Sequence, residues 1–257
     1  MEASPPILSF SGPIAEIRFN RPRHKNLLQS GDLSVLRAIL AELATNHEAR
    51  VVVITGSGDI FSAGFDLNAL AGGETGDAEY GPGEIGLVAD ELERLRLPTI
   101  ARLNGGAYGG ATDLALACDF RVGVKGMKAR VPAARLGIHY YASGCRRFVS
   151  RVGIDHVKRM FLTGETLGAE ELLRIGFLTE LVEPAALDAH VRELAATLAD
   201  NAPLAVQGMK LSLNELAREA WDDDVFTARA NGILGSEDLR EGLAAQQERR
   251  APRFLGR

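Results

Sequence analysis

The sequence predicts an α/β fold that ends in a helical tail, and three observations carry that prediction. The apolar runs Val51–Thr55, Pro98–Leu103 and Phe120–Val124 are nearly continuous rather than alternating, which suits strands buried on both faces. Stripes of helical period and glycine turns lie between and around them. In the last third strand signals give way to helical stripes. Strands that alternate with helices imply a largely parallel sheet.

In chain order, Ile7–Phe10 is β-prone, and Gly12-Pro13 breaks it. Ile14, Glu16 and Arg18 then alternate with Ala15, Ile17 and Phe19 in a second strand. Asn20-Arg21-Pro22-Arg23 is a loop. A helix is expected from Gly31 to Asn46, with Leu33, Leu36, Ile39, Leu40 and Leu43 on one face. Val51–Thr55 is a buried strand closed by Gly56-Ser57-Gly58. The stretch Gly72–Gly86, rich in glycine and acids, reads as a surface loop, with Glu84 placed to enter a pocket. Pro98–Leu103 leads through Gly105–Gly110 into a helix from about Gly110 to Cys118, and Phe120–Val124 is the third buried strand.

Leu187, Val191, Leu194, Ala195 and Leu198 mark one helical face. Asn201-Ala202-Pro203 ends that helix and opens the next, since proline is tolerated in a first turn. Val206, Met209, Leu213 and Leu216 form a second stripe. Ser236-Glu237-Asp238 starts a further helix, with acids where the dipole favours them. Trp221 with Asp222, Asp223 and Asp224 reads as a surface helix start; adjacent aspartates fan apart on a helix and do not build a metal site. The expected division is a core over residues 1–200 and a helical region over 201–257. A tail that short hardly buries a core of its own, so it should pack on the α/β unit or on another subunit.

The 257 residues are 46% hydrophobic and 25% charged, enough to bury a sizeable core. A net charge of −5 argues against a nucleic-acid partner, which needs a basic field. No apolar run approaches a membrane span, and the start Met1-Glu2-Ala3-Ser4-Pro5-Pro6 lacks a secretory pattern. Cys118 reads as core, Cys145 has no assigned role, and two cysteines make neither a disulfide scaffold nor a thiolate cage. A cytoplasmic setting is the expectation.

Two segments carry the chemical signal: Phe61-Ser62-Ala63-Gly64-Phe65-Asp66-Leu67 and Gly105-Gly106-Ala107-Tyr108-Gly109-Gly110-Ala111-Thr112-Asp113-Leu114. Each follows a buried strand and places glycine where backbone must approach something closely. A glycine pair that opens a helix leaves N–H groups pointing outward at the positive end of the dipole. Two such sites converging on one oxygen make an oxyanion hole. Gly56-Ser57-Gly58 mimics part of a dinucleotide fingerprint but lacks its third glycine and the following helix.

Taken together, these segments resemble the crotonase, or enoyl-CoA hydratase/isomerase, superfamily. The resemblance runs from Phe19-Asn20-Arg21-Pro22 and Lys25-Asn26 through both glycine segments, Leu116–Arg121, Leu162-Thr163-Gly164, Gly176-Phe177 and Leu181-Val182 to Glu248–Phe254. It implies a spiral of ββα turns with a helical trimerisation tail, a trimer or hexamer, and acyl-CoA thioester substrates. It implies no prosthetic group; coenzyme A arrives as part of the substrate. Carried over by position, the amides of Phe65 and Gly110 resemble the oxyanion hole. Lys25, with Arg21 or Arg23, resembles a phosphate contact. Ala63, Asp66 and Leu67 resemble the adenine-binding strand end, and Phe254 resembles an aromatic near the adenine.

The sequence also departs from the family pattern. Hydration in this family uses two carboxyl groups that share a water. The first position here is Asp113, whose side chain is shorter than glutamate by a C–C bond of about 1.5 Å. The second is Ala133, which transfers no proton. The loop Gly137–Gly144 adds His139, Tyr140 and Tyr141 near the implied reaction centre. Pro132-Ala133, Leu136-Gly137-Ile138 and Tyr140 resemble the methylmalonyl-CoA decarboxylase branch, in which Tyr140 would orient a leaving carboxylate. His139 has the natural acid/base pKa. The reading is an acyl-CoA lyase or isomerase that stabilises a thioester enolate. Its alternatives are a malonyl-type decarboxylase and a non-catalytic CoA-ester-binding paralogue.

Overall fold

The computed structural model describes residues 4–66 and 82–257. Strand β1 (Ile7–Ser11) pairs antiparallel with β2 (Ile14–Phe19) across the Gly12-Pro13 turn. Helix α1 (Ser30–Thr45) follows and buries the expected face, with Leu33, Leu36, Ile39, Leu40 and Leu43 inside. The Gln29 amide donates to Asp32 Oδ2 at its start, and Asp32 also takes the Arg21 guanidinium on both oxygens. Strand β3 (Val51–Gly56) is buried at every residue, as its unbroken apolar run requires.

Helix α2 (Pro82–Arg94) corrects one expectation: residues 82–86 belong to a helix, not to a surface loop. Gly83, Glu84 and Gly86, counted into that loop, hid the start of a stripe of Ile85, Val88, Ala89 and Leu92 that is buried. Strand β4 (Thr99–Leu103), the short β5 (Ala107–Tyr108) and α3 (Gly110–Ala117) come next, then β6 (Phe120–Val124) and β7 (Lys128–Arg130). The remainder is α4 (Ala142–Val152), α5 (Ile154–Thr163), β8 (Thr166–Gly168), α6 (Ala169–Arg174), β9 (Glu180–Val182), α7 (Leu187–Asp200), α8 (Pro203–Ala217), α9 (Asp223–Leu234) and α10 (Glu237–Glu248).

The main sheet has the order β1-β2-β3-β4-β6-β9, parallel throughout except for β1 against β2. A second sheet, β5-β7-β8, stands apart from it. Helix α3 links β5 of the second sheet to β6 of the main one, with all of Ala111–Ala117 buried. Its small residues allow that close packing. Cys118, at its C-terminal end, is fully buried and its thiol is pushed up to about 12 by that burial, which fits a core role.

The tail packs on the core, but by an unexpected face. Gly208, Lys210 and Ser212 of α8 are buried, whereas Met209, Leu213 and Leu216 of the predicted stripe are exposed. Lys210 Nζ donates to the Leu97 carbonyl at 2.7 Å and pairs with Asp119 at 2.7 Å, so a buried ammonium anchors the helix beneath β4. The apolar stripe is therefore free of this chain's own core. Helices α9 and α10 start at side-chain caps, Asp222 to the Val225 amide and Ser236 to the Leu239 amide, which confirms the helix start read at Trp221–Asp224. No helix among the described residues is long and apolar enough to cross a membrane.

Candidate active site

The two glycine segments lie side by side. Ser62 bridges Ala107 in parallel, Phe61 N donates to the Gly106 carbonyl, and Tyr108 N donates to the Ser62 carbonyl. On the other side, Leu28 forms a parallel bridge with Phe65: Leu28 N donates to Gly64 O at 2.8 Å and Asp66 N donates to Leu28 O at 2.8 Å. In a parallel bridge the amide of the central residue points away from that partner. Phe65 N therefore faces away from Leu28, and no acceptor for it occurs among the described residues.

Gly110 N is the first amide of α3, and it too has no acceptor among the described residues. Gly109 before it has φ 54° and ψ −130°, a conformation essentially reserved for glycine, and its own amide is used by the Arg130 carbonyl. Gly64 has φ 92°; a Cβ there would lie 2.4 Å from the Tyr108 carbonyl and 3.3 Å from Gly110 N. That proximity brings the two turns, and their two free amides, to one place.

A buried polar scaffold fixes the first turn. The Asn26 amide group donates to the carbonyls of Ser57, Ile60 and Phe61, and its oxygen accepts from Arg21 N. Ser62 Oγ donates to the Asn26 carbonyl at 2.7 Å and accepts from Gly64 N at 3.0 Å. Asn26 and Ser62 thus fix the turn that leads into Phe65. The sequence signal for them was only their place in the two motifs.

A cavity of about 110 Å³ opens beside these turns. Phe65, Gly110, Ala133, His139, Tyr140 and Tyr141 are part of its wall. Asp113 is not: it is fully buried behind the wall, 0% exposed. Its Oδ2 accepts from the Tyr141 hydroxyl and from Arg147 Nη1, each at 2.6 Å, while its Oδ1 is buried without a partner. Burial raises the Asp113 carboxyl above the ordinary aspartate range, against the pull of Arg147 and Tyr141.

Arg147 is the hub of a buried ionic cluster. Besides Asp113 it pairs with Asp90 and lies 3.5 Å from Glu93. Glu93 in turn pairs with Arg151 at 3.1 Å and with Arg218, which caps the C-terminus of α8. Three carboxylates thus meet three guanidiniums, and the tail helix is tied to the site through Arg218. Burial pushes the Glu93 carboxyl up, but Arg147, Arg218 and Arg151 outweigh it and hold it below its ordinary value.

The two phenols differ in their bonding. Their rings stack at 4.7 Å and 21°, and Tyr140 also packs on Phe148 and Phe161. The Tyr141 proton is committed to Asp113. The Tyr140 hydroxyl is buried near Tyr141 and Thr112 without hydrogen-bond geometry to either. Burial holds both phenols far above the usual tyrosine range, so neither ionises alone. His139 Nδ1 donates to the Tyr140 carbonyl at 2.7 Å, since a carbonyl only accepts, and Nε2 has no partner among the described residues.

The other sequence-predicted residues are placed as follows. Lys25 is exposed at φ 52°, and its carbonyl takes the Ala63 amide at 2.8 Å. Arg21 gives Nε and Nη2 to Asp32. The Ala63 and Asp66 amides are both used internally. Leu67 lies outside the described residues. Phe254 stands away from the cavity, in a crevice with Leu204, Gly242 and Leu243, where its carbonyl accepts from Arg50. Glu84 is in the first turn of α2, buried, with Oε2 unpartnered, and is not part of the wall; its neighbour Ile85 is. Among the described residues no cluster of three or more metal-ligating side chains occurs.

A mixed α/β body with paired glycine turns over an aromatic cavity defines a crotonase-type enzyme. A family model for enoyl-CoA hydratase/isomerase matches residues 9–257, and the chain belongs to that family. It is 36% identical to carnitinyl-CoA dehydratase of Salmonella typhi over 257 residues, covering 97% of this chain and 98% of that one. Among solved structures it is similar to an enoyl-CoA hydratase from Bacillus anthracis (TM-score 0.92, 29% identity, 99% and 100% of the two chains). It is also similar to an enoyl-CoA hydratase/carnithine racemase from Magnetospirillum magneticum (TM-score 0.92, 26% identity, 100% and 97% covered). These relatives lend no support to the decarboxylase alternative.

Proposed function

We propose that the protein adds and removes water across the α,β bond of a short-chain acyl-CoA thioester, by way of an enolate. The observation that carries this reading is the convergence of two amides without an acceptor among the described residues, Phe65 N and Gly110 N, beside an aromatic-walled cavity. Loss of a proton next to a thioester leaves negative charge on the carbonyl oxygen. Fixed donors in a site with little water stabilise that charge, and removing one costs about 3–4 kcal/mol of barrier. In this reading Asp113 and Tyr140 serve the proton transfers, and His139 presents Nε2 at the mouth.

Lys25, Ala63, Asp66 and Leu67 form the path for the CoA moiety. Phe254, which in its own chain stands away from the cavity, we assign to the adenine of a neighbouring subunit. The exposed Met209, Leu213 and Leu216 stripe, within a region 201–257 distinct from the 1–200 core, is the face we assign to a trimer or a dimer of trimers. Such an enzyme works in the cytoplasm, with no prosthetic group.

The cavity sets the acyl length. An apolar cavity of about 150 Å³ accepts benzene. About 110 Å³, walled by Tyr140, Tyr141 and Ile138, suits an acyl group of about four carbons. Turnover of crotonyl-CoA, followed by loss of the conjugated thioester absorbance, tests the activity. Among enoyl-CoA esters of increasing length, kcat/KM should fall at least tenfold from four carbons to eight. An equal or higher value at eight carbons would contradict the assignment.

A further inference from the structure

Ala133 and the shortened Asp113 leave the site without the carboxylate pair that holds the reacting water in its relatives' pattern, yet the wall includes two tyrosines, Tyr140 and Tyr141, whose hydroxyls have complementary bonding. We propose that Tyr140 and Tyr141 hold that water between them, and that Asp113 exchanges protons with it through the Tyr141 hydroxyl. The inference rests on the enolate reading above and names the groups that serve it.

The Tyr141 hydroxyl has one proton, and Asp113 Oδ2 takes it at 2.6 Å. Toward an occupant of the cavity, Tyr141 can therefore only accept. The Tyr140 hydroxyl is buried with no partner, so it has a proton to give. The rings are held in register by their stacking at 4.7 Å and by Gly86 and Gly144, where any Cβ would strike them within 2.6–2.7 Å. A water or β-hydroxyl that donates to Tyr141 and accepts from Tyr140 satisfies both; the Tyr140 hydroxyl is covered in the ligand-free chain, so its ring turns toward the occupant as it binds. Ala133, on the same wall, leaves space for it where a longer side chain would intrude.

The relay also explains the aspartate. Asp113 is off the wall, and Tyr141 is the only wall residue bonded to it among the described residues. Arg147, at 2.6 Å, balances its charge and fixes the carboxylate plane; it is a positioning residue, and so is Asp113, which acts through Tyr141. In hydration, the water gives a proton to Tyr141 Oη while the Tyr141 proton moves to Asp113 Oδ2. The water's released electron pair forms the C–O bond at the β carbon. The π pair of the α,β bond moves to make the enolate, whose oxygen rests on Phe65 N and Gly110 N. The proton then returns from Asp113 through Tyr141 to the α carbon, and the enolate pair forms that C–H bond. One water is added, and every protein group ends as it began.

The test uses the full-length protein. Wild type and Tyr141→Phe are compared in crotonyl-CoA hydration and in exchange of the α hydrogens of butyryl-CoA in D₂O. The relay predicts that Tyr141→Phe lowers kcat and exchange at least 100-fold with KM changed less than threefold. It predicts a loss in Tyr140→Phe as well, larger in hydration than in exchange, because exchange needs no water at the β carbon. It also predicts that wild-type exchange is lost with falling pH through a single ionisation above the ordinary aspartate range. Exchange within threefold of wild type in a folded Tyr141→Phe, or a wild-type exchange rate flat between pH 4 and 8 in roughly the range where a raised carboxylate titrates, would overturn the relay while leaving the enolate reading intact. Wild-type protein that neither hydrates nor exchanges would overturn the enolate reading itself.

Discussion

Replacing Arg147 by methionine should cost about 3–5 kcal/mol of stability at neutral pH, the largest loss expected from any single side chain of the site. The reason is the charge it leaves behind, not the bonds it makes. Arg147 is almost wholly buried and faces Asp113, Asp90 and Glu93. Removing one partner of a buried ion pair strands the other without solvent, and that penalty is of the order given. The variant should also report its cause through pH. In the wild type, Glu93 is held below its ordinary pKa despite burial, so its contribution is complete above the unfolded value and is lost as pH falls through the folded one. Asp113 is shifted the other way, so its ionised form costs stability at neutral pH, and that cost grows when Arg147 is gone. The deficit of the variant is therefore greatest near neutrality and shrinks as pH falls through the carboxylate range. Urea unfolding at several pH values measures this. A deficit independent of pH would mean that packing, not charge, makes Arg147 important. Arg147→Lys keeps the charge but not the planar fork, and should fall between the two.

Gly109→Ala should lower kcat by about 10²–10³-fold with little change in KM. The position offers a clean separation of conformation from space. A Cβ at Gly109 would meet nothing within 4 Å, so no clash is expected. Its φ of 54° with ψ −130°, however, is a region that residues with a Cβ occupy only at a cost of about 1–3 kcal/mol. To relieve that strain the peptide between Gly109 and Gly110 must turn, and Gly110 N turns with it. Steady-state kinetics on crotonyl-CoA, with a thermal midpoint as the control for folding, decides the matter. Unchanged kcat in a folded variant would detach the Gly110 amide from catalysis. Gly64→Ala is less informative, because its Cβ would press on the Tyr108 carbonyl at 2.4 Å and disturb packing at once.

The legible part of the site was the part written in local sequence. The paired glycines announce turns in which backbone amides are left over, and Phe65 N and Gly110 N are the leftover amides. The buried strands announced themselves because a parallel sheet needs apolar residues on both faces; β3 is buried throughout. What escaped was non-local. That Asp113 belongs to Arg147, 34 residues away, depends on how α3 packs against α4, and a lone aspartate in a helix's first turn gives no sign of it. Tyr140 and Tyr141 look alike in sequence, but only one reaches Asp113. The stripe Val206, Met209, Leu213 and Leu216 has the correct period for a core-facing helix, yet the helix turns Lys210 inward, because that ammonium has Asp119 and the Leu97 carbonyl to satisfy it. Periodicity shows that a face is apolar; it does not show which chain covers that face.

The central claim is that Phe65 N and Gly110 N grip one thioester oxygen. A crystal structure with a bound, non-turning-over acyl-CoA thioester analogue tests it most directly. The account predicts the thioester oxygen at about 2.7–3.1 Å from both amide nitrogens. A thioester seated in the cavity with its oxygen turned away from either amide would contradict it.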